Sequence, residues 1–249
     1  MTMPPTLRQA LIERRALKII SGLTNFDADR VANVVRAADR GGATFVDIAA
    51  DPVLVKLAKN LTDLPVCVSA VEPHKFVAAV QAGADLIEIG NFDAFYARGI
   101  RFEAAQVLQL TRETRQLLPE IALSVTVPHI LAMNEQQELA EELVEAGADI
   151  IQTEGGASSR PAHAGTLGLI EKAAPTLAAA SEISRAVSVP VLCASGISCV
   201  TAPMAIAAGA AGVGVGAAIN RLDSEVAMIA GVRSLVEALS TVSSDRIYA

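Results

Sequence analysis

Gly42-Ala43-Thr44-Phe45-Val46-Asp47, Gly83-Ala84-Asp85-Leu86-Ile87-Glu88, Gly147-Ala148-Asp149-Ile150-Ile151-Gln152 and Gly209-Ala210-Ala211-Gly212-Val213-Gly214 are four versions of one phrase. Each opens with a glycine, which suits the left-handed cap that ends a helix. Each continues into a short apolar run of the kind that forms a buried strand. Between these runs lie others introduced by proline. Pro65 precedes Val66 to Ala70, Pro190 precedes Val191 to Ser195, and Pro119 stands just before Ala122 to Val127. Proline there marks a stop between helix and strand.

With Leu17 to Ser21 in front, eight strands are expected: 17–21, 44–49, 66–70, 86–90, 122–127, 150–153, 191–195 and 212–216. Amphipathic stretches at 27–40, 52–59, 73–81, 103–117, 135–145, 169–187, 201–208 and 223–239 read as the helices that follow them. Glycine-led and proline-led strands alternate, so the repeating unit is two βα modules, used four times. In a chain of 249 residues that pattern predicts an α/β protein with a closed eight-stranded parallel (β/α)8 TIM barrel. An open dinucleotide-binding sheet would carry a Gly-rich fingerprint after the first strand. Ser21-Gly22-Leu23-Thr24-Asn25 is not one. The composition shows no break, so residues 1–249 are expected to form a single domain, with 1–15 as an N-terminal helix capping the bottom of the barrel.

With 27 acidic and 20 basic residues the formal net charge is −7. That excess argues against nucleic acid or an anionic membrane as partner, since both demand a cationic face. Two Tyr, six Phe and no Trp leave few platforms for stacking bases. Cys67, Cys193 and Cys199 have neither metal-ligand spacing nor an even disulfide framework, which suits reduced thiols in a cytoplasmic compartment. The run 186–220 carries no charge, yet Pro190, Pro203 and the interleaved Ser, Thr and Gly disfavour an apolar spanning helix. Strand, small-residue helix and strand, buried on both faces, account for it better.

Side chains alternate along a strand, so equivalent positions of the repeat should share one interior layer. That layer is Asp47, Glu88, Gln152 and Gly214, with Lys18 on the first strand as counter-charge. A purely structural barrel fills its interior with branched apolar residues, and unpaired buried carboxylates are costly. The structural alternative is an ion-pair network of Lys18, Asp47 and Glu88 that fixes register. The functional reading is a site at the C-terminal mouth, with Lys18, Asp47, Glu88, His129 and Glu154 as the candidate catalytic set. Lys18 is also a conceivable Schiff-base nucleophile. No His/Asp/Glu cluster has dedicated metal spacing, and no metal site is expected, although Asp47, Glu88 and His129 could converge on a divalent ion.

Cys193-Ala194-Ser195-Gly196-Ile197 and Gly212-Val213-Gly214-Val215-Gly216-Ala217-Ala218-Ile219 end the barrel. In phosphate-binding barrels the loops after strands 7 and 8 present backbone N–H groups to a phosphate. Ser195, Gly196, Gly214, Gly216 and Ala217 are the candidate phosphate cup. The alternative is that these glycines only allow tight packing. Asn-Phe-Asp-Ala occurs twice, at 25–28 and 91–94, where Asp27 and Asp93 suit N-caps. Of the two Pro-His pairs, His74 suits a surface helix and His129, after the polar strand Ser124 to Val127, is the acid/base candidate. The loop 153–165, with Gly155-Gly156 and Arg160, is either a lid over an anionic ligand or a disordered insertion.

Lys18-Ile19-Ile20-Ser21-Gly22-Leu23, Asp47-Ile48-Ala49-Ala50-Asp51-Pro52, Ser69-Ala70-Val71-Glu72-Pro73, Glu88-Ile89-Gly90-Asn91-Phe92-Asp93, Ser124-Val125-Thr126-Val127-Pro128-His129, Gln152-Thr153-Glu154-Gly155-Gly156 and Ala194-Ser195-Gly196-Ile197 closely resemble a family of conserved hypothetical reading frames of cyanobacteria and algal plastids. The resemblance runs from about Ala16 to Val236. It implies an aldolase-type barrel in a cytoplasm or plastid stroma, and no reaction. The cup itself resembles those of flavin-dependent, thiazole-forming and histidine- or tryptophan-pathway barrels. An FMN cofactor is compatible with it but not favoured, for want of a paired Cys or His base and an aromatic wall.

Three functions follow as expectations. The first is an enzyme acting on a small phosphorylated metabolite by acid/base chemistry, as lyase, isomerase or synthase. The others are an FMN-dependent oxidoreductase and a non-catalytic regulatory or assembly barrel. Barrels of this kind often dimerise, so a homodimer is admitted.

Overall fold

The computed structural model describes residues 3–96 and 98–244. Its eight strands are β1 (Ala16–Ile20), β2 (Phe45–Ala49), β3 (Val66–Ala70), β4 (Leu86–Ile89), β5 (Ala122–Thr126), β6 (Ile150–Thr153), β7 (Val191–Ala194) and β8 (Gly212–Val215). All pair in parallel in sequence order, and β1 pairs with β8 to close the barrel. The fold is therefore the expected (β/α)8 barrel, with strand limits within a residue or two of those read from the sequence.

The helices are α1 (Pro5–Ile12), α2 (Ala28–Gly41), α3 (Pro52–Lys59), α4 (Pro73–Gln81), α5 (Asp93–Tyr96), α6 (Ala104–Leu117), α7 (Met133–Glu145), α8 (Gly165–Ala186), α9 (Ala202–Ala207), α10 (Ala217–Asn220) and α11 (Glu225–Ser244). The four repeat glycines, Gly42, Gly83, Gly147 and Gly209, all have φ between 88° and 114°. A side chain with a β-carbon is strained there, which explains why the phrase starts with glycine each time. Among the described residues no helix is long and apolar enough to cross a membrane. The uncharged run 186–220 is β7, α9, β8 and α10 with their loops.

Two apolar clusters hold the barrel. Outward-facing Leu17, Ile19, Val46, Ile48, Val66 and Val68 pack under the helices in the larger one. The smaller lies where the strands begin, and joins Leu7, Ala10 and Leu11 of α1 to Ala16, Phe45, Cys67, Leu86 and Ile150. Between that plug and the mouth the interior is polar, with Lys18, Asp47, Glu88 and Gln152 all buried.

α8 begins at Gly165, four residues before the periodicity suggests, and runs through Pro175. Its early start is anchored by Glu171, whose carboxylate accepts N–H bonds from Ala162 and His163. The loop after β6 is thereby tied to the helix that follows it. Ser159 adds a hydroxyl bond to the Glu171 carbonyl at 3.0 Å.

Candidate functional site

The polar interior layer forms as alternation requires. Lys18, Asp47, Glu88 and Gln152 are each at most 1% exposed. Lys18 Nζ donates to Glu88 Oε2 at 2.6 Å. Glu88 also accepts from Ser124 Oγ at 2.8 Å and from Gln152 Nε2 at 2.8 Å. Burial alone would lower the Lys18 pKa. The carboxylates of Glu88 and Asp47 outweigh it and raise the value, so the amine is held as an ammonium. A charged, ion-paired amine is a poor nucleophile, which weighs against the Schiff-base reading.

Asp47 differs from Lys18, Glu88 and Gln152 in lining a cavity. It accepts a 2.6 Å bond from Ser69 Oγ. Both residues line a cavity of about 390 Å³ at the C-terminal mouth. Burial, abetted by the Glu88 charge and opposed by Lys18, pushes the Asp47 carboxyl up to about 7.

The opposite wall is built by the loops after β7 and β8. Ser195, Gly196, Gly216 and Ala217 line the cavity, together with two cations that the sequence reading did not single out, Lys172 and Arg221. Ala217 and Ala218 open α10, so their N–H groups have no intrahelical acceptor. Ser195 and Gly196 are held with φ of 70° and 81°. Lys172 Nζ donates to the Gly156 carbonyl at 2.8 Å, which fixes its stem beside the cup.

Gly214 sits elsewhere, inside the barrel below the cavity. A β-carbon on it would lie 2.8 Å from Ala194 Cβ and 3.1 Å from Ile20 Cδ1. One on Gly212 would lie 2.4 Å from the Ala16 carbonyl oxygen. These two glycines let β8 approach its neighbours closely and leave no hollow. Gly216, whose added carbon would meet nothing nearer than 3.4 Å, is the one that borders open space.

Glu154 and His129 meet beside the cavity, away from the Lys18 network. Glu154 is 1% exposed, and its carboxylate joins three loops. Oε2 accepts from the N–H groups of Phe92 and Asp93, while Oε1 accepts from Tyr96 Oη at 2.6 Å and lies 3.2 Å from His129 Nδ1. Burial raises the Glu154 pKa, against the pull of His129. Burial would lower that of His129, but the Glu154 hydrogen bond and the Asp93 charge raise it overall. Burial and the Glu154 charge likewise push up the Tyr96 phenol. The ion-pair partners of His129 are thus Asp93 and Glu154, whereas Asp47 bonds to Ser69 and Glu88 to Lys18.

Asp93 departs from the capping role expected for it. Asp27, in the first Asn-Phe-Asp-Ala, does cap α2 by accepting from Asp29 N and Arg30 N. Asp93 instead turns its carboxylate into the site, where Ser195 Oγ donates to Oδ2 at 2.6 Å. The distinguishing signal is downstream: a long helical pattern follows Asp27, but Gly99 interrupts the chain six residues after Asp93. The one-turn α5 is capped by Asn91, whose Oδ1 accepts from Asp93 N. Ser195 Oγ also accepts from Ala157 N at 3.1 Å, so it connects the loops after β4, β6 and β7.

The loop after β6 packs down at its start. Gly155 and Gly156 are buried, and Gly156 touches the Ser195–Gly196 backbone so closely that a β-carbon would lie 2.4 Å from Ser195 O.

Comparison with known proteins agrees with this architecture. Residues 3–245 match the family model described as "Protein of unknown function (DUF561)". The "Uncharacterized protein ycf23" of Cyanophora paradoxa is 43% identical over 220 residues, covering 88% of this chain and 90% of the relative. Among solved structures, thiamine phosphate pyrophosphorylase from Pyrococcus furiosus superposes with a TM-score of 0.60 at 18% identity, over 93% of this chain and 98% of that one. (S)-3-O-geranylgeranylglyceryl phosphate synthase from Thermoplasma acidophilum, in complex with its substrate sn-glycerol-1-phosphate, gives 0.60 at 16% identity, over 97% and 100%. These likenesses show a common barrel fold, and the match along nearly the whole sequence assigns the chain to the DUF561 family.

Proposed function

We propose that the protein is an enzyme that moves a proton on a small phosphorylated metabolite, as a lyase, isomerase or synthase. One observation carries the reading: a carboxyl group with a pKa of about 7 stands in the same cavity as the Gly196 and Gly216 loops and the cations Lys172 and Arg221. The cations and N–H groups suit the phosphate end of a ligand, and Asp47 suits the reacting end. A carboxyl poised near neutrality can both accept and return a proton at physiological pH. Ser69 orients it, and Lys18 below keeps the interior from accumulating negative charge.

Inorganic phosphate tests the anion end. Titrated into the protein, it is expected to raise the melting temperature, by an amount corresponding to about 2.7 kcal/mol at a concentration of about 100 times Kd. Arg221→Ala is expected to weaken that binding. No phosphate-dependent shift, or one unchanged in Arg221→Ala, counts against the cup.

The acid/base end is tested by the Asp47 carboxyl carbon resonance, expected to titrate with a midpoint near 7. The sign of the linked stability is fixed. With a folded pKa above the unfolded one, Asp47 favours the fold at acid pH. That contribution is lost as pH rises from about 4, where the unfolded carboxyl ionises, to 7. Asp47→Asn removes this slope, so the variant gains relative to wild type between those pH values in paired urea denaturations. A midpoint in the ordinary carboxylate range overturns the role given to Asp47.

A further inference from the structure

Two carboxylates and an imidazole from three different loops meet beside the cavity, and one of their oxygens accepts no hydrogen bond from the described residues. Asp93 Oδ1 is buried without a hydrogen-bond partner, on a side chain only 5% exposed. His129 Nδ1 lies 3.4 Å from that atom and 3.2 Å from Glu154 Oε1. One potential ligand atom from each of Asp93, His129 and Glu154 falls within 4.8 Å of the others.

Those separations are informative. Two ligands held about 2.1 Å from a cation stand about 3.0 Å apart at an octahedral right angle and about 3.4 Å apart at a tetrahedral one. The two distances to His129 Nδ1 fall within this range. Charge points the same way. Both carboxylates have His129 as their ion-pair partner, so two acidic side chains share one imidazole. A divalent cation with a neutral imidazole matches both.

We propose that Asp93, His129 and Glu154 bind a divalent transition cation of the Mn²⁺ or Zn²⁺ class. The imidazole selects such ions over Mg²⁺ and Ca²⁺, which prefer oxygen alone. The cation takes the place of any proton on His129 Nδ1, and that proton leaves to solvent. The surrounding shell is already built. Tyr96 Oη and the N–H groups of Phe92 and Asp93 orient Glu154, and Ser195 Oγ orients Asp93 from the other side. Such outer partners are what fix a ligand set in place. Asp93 lines the cavity, so the cation sits at its edge and keeps positions for water or a ligand oxygen. The site stands whether or not Asp47 transfers a proton, because neither Asp47 nor the phosphate cup supplies a ligand.

The test uses full-length protein stripped with EDTA. Calorimetric titration with MnCl₂ and with ZnCl₂ is expected to show one saturable equivalent, with MgCl₂ binding more weakly. Asp93→Asn and His129→Gln are each expected to weaken Mn²⁺ binding by at least about 10-fold, with circular dichroism confirming that both are folded. Asp47→Asn is expected to bind Mn²⁺ as the wild type does. A readout independent of any variant is the electron spin echo spectrum of the wild-type Mn²⁺ complex, expected to show coupling to one imidazole nitrogen. Absence of saturable uptake, uptake that persists unchanged in both variants, or a spectrum without nitrogen coupling each overturns the site.

Discussion

Lys18→Met is expected to cost about 3 to 5 kcal/mol of stability at pH 8. The ammonium is fully buried, and its 2.6 Å bond to Glu88 is the ion pair at the centre of the interior layer. Methionine matches its length and fills its space, so little of the loss is packing. What remains is Glu88 and Asp47 in the barrel interior without their cation, retaining only Ser124, Gln152 and Ser69 as donors. The variant should recover as pH falls, since protonating Asp47 relieves part of the deficit. Pairing Lys18→Met with Glu88→Leu removes both charges and should restore the larger part of the loss. The remainder is the cost of leaving the Ser124 and Gln152 donors unpaired, about 1 to 3 kcal/mol for such groups, together with that of Asp47, which still lacks the Lys18 charge. Urea denaturation of the single and double variants at pH 8 and pH 5 measures all of this. A loss below about 1 kcal/mol at pH 8 would show that Lys18 is not the counter-charge of this layer.

Gly156→Ala is the second large effect. The added methyl would stand 2.4 Å from Ser195 O and 2.5 Å from Gly196 N. Both obstacles are backbone, so no side chain can swing away. The loops after β6 and β7 must separate, at an expected cost of about 1 to 3 kcal/mol. Separation also breaks the short reach from Ala157 N to Ser195 Oγ and shifts Gly196 from its place in the cavity wall, part of the proposed cup. Phosphate affinity is therefore expected to fall by at least about tenfold, the effect of losing about 1.4 kcal/mol of binding. Gly216→Ala provides the contrast. Its added carbon meets only ordinary contacts, the nearest at 3.4 Å from Ile20 O, and its cost in stability should stay below about 0.5 kcal/mol. Equal melting temperatures for Gly156→Ala and wild type would mean that the two loops do not pack as described.

The barrel was legible because its signals are local. An apolar run recurs with each strand, led by a glycine cap or a proline stop in alternation from β2 onward, and each signal records a conformation fixed within a few residues. The polar layer was legible for a related reason. Strand alternation puts Asp47, Glu88 and Gln152 on one face whatever the loops do. The rest of the site depends on where loops lie in space. Asp93 and Asp27 occupy identical tetrapeptides, and only the length of the following helix separates a cap from a site residue. Lys172 and Arg221 reach the cavity from α8 and from the end of α10 along flexible stems, which no spacing rule detects. Gly212 and Gly214 show the converse. Gly214 is a candidate for the cup in the sequence, yet it and Gly212 bring β8 against Ala194 and Ala16, a closeness that depends on the neighbouring strands having small residues too.

The single carboxylate of Glu154 has a consequence for the order in which the chain is made. It receives Phe92 and Asp93 from 62 and 61 residues back, Tyr96 from 58 and His129 from 25. Asp93 receives its Ser195 hydroxyl from 102 residues further on. A nascent chain that has emerged only as far as β5 therefore holds the amides of the β4 loop with no acceptor, and one halted after β6 lacks the hydroxyl that aims Asp93. Contacts this distant along the chain form late and slowly. The fourfold phrase repeats the strands, but no quarter or half of the polypeptide is a self-sufficient module, because the knot of loops at the mouth is tied only after β7 has been synthesised.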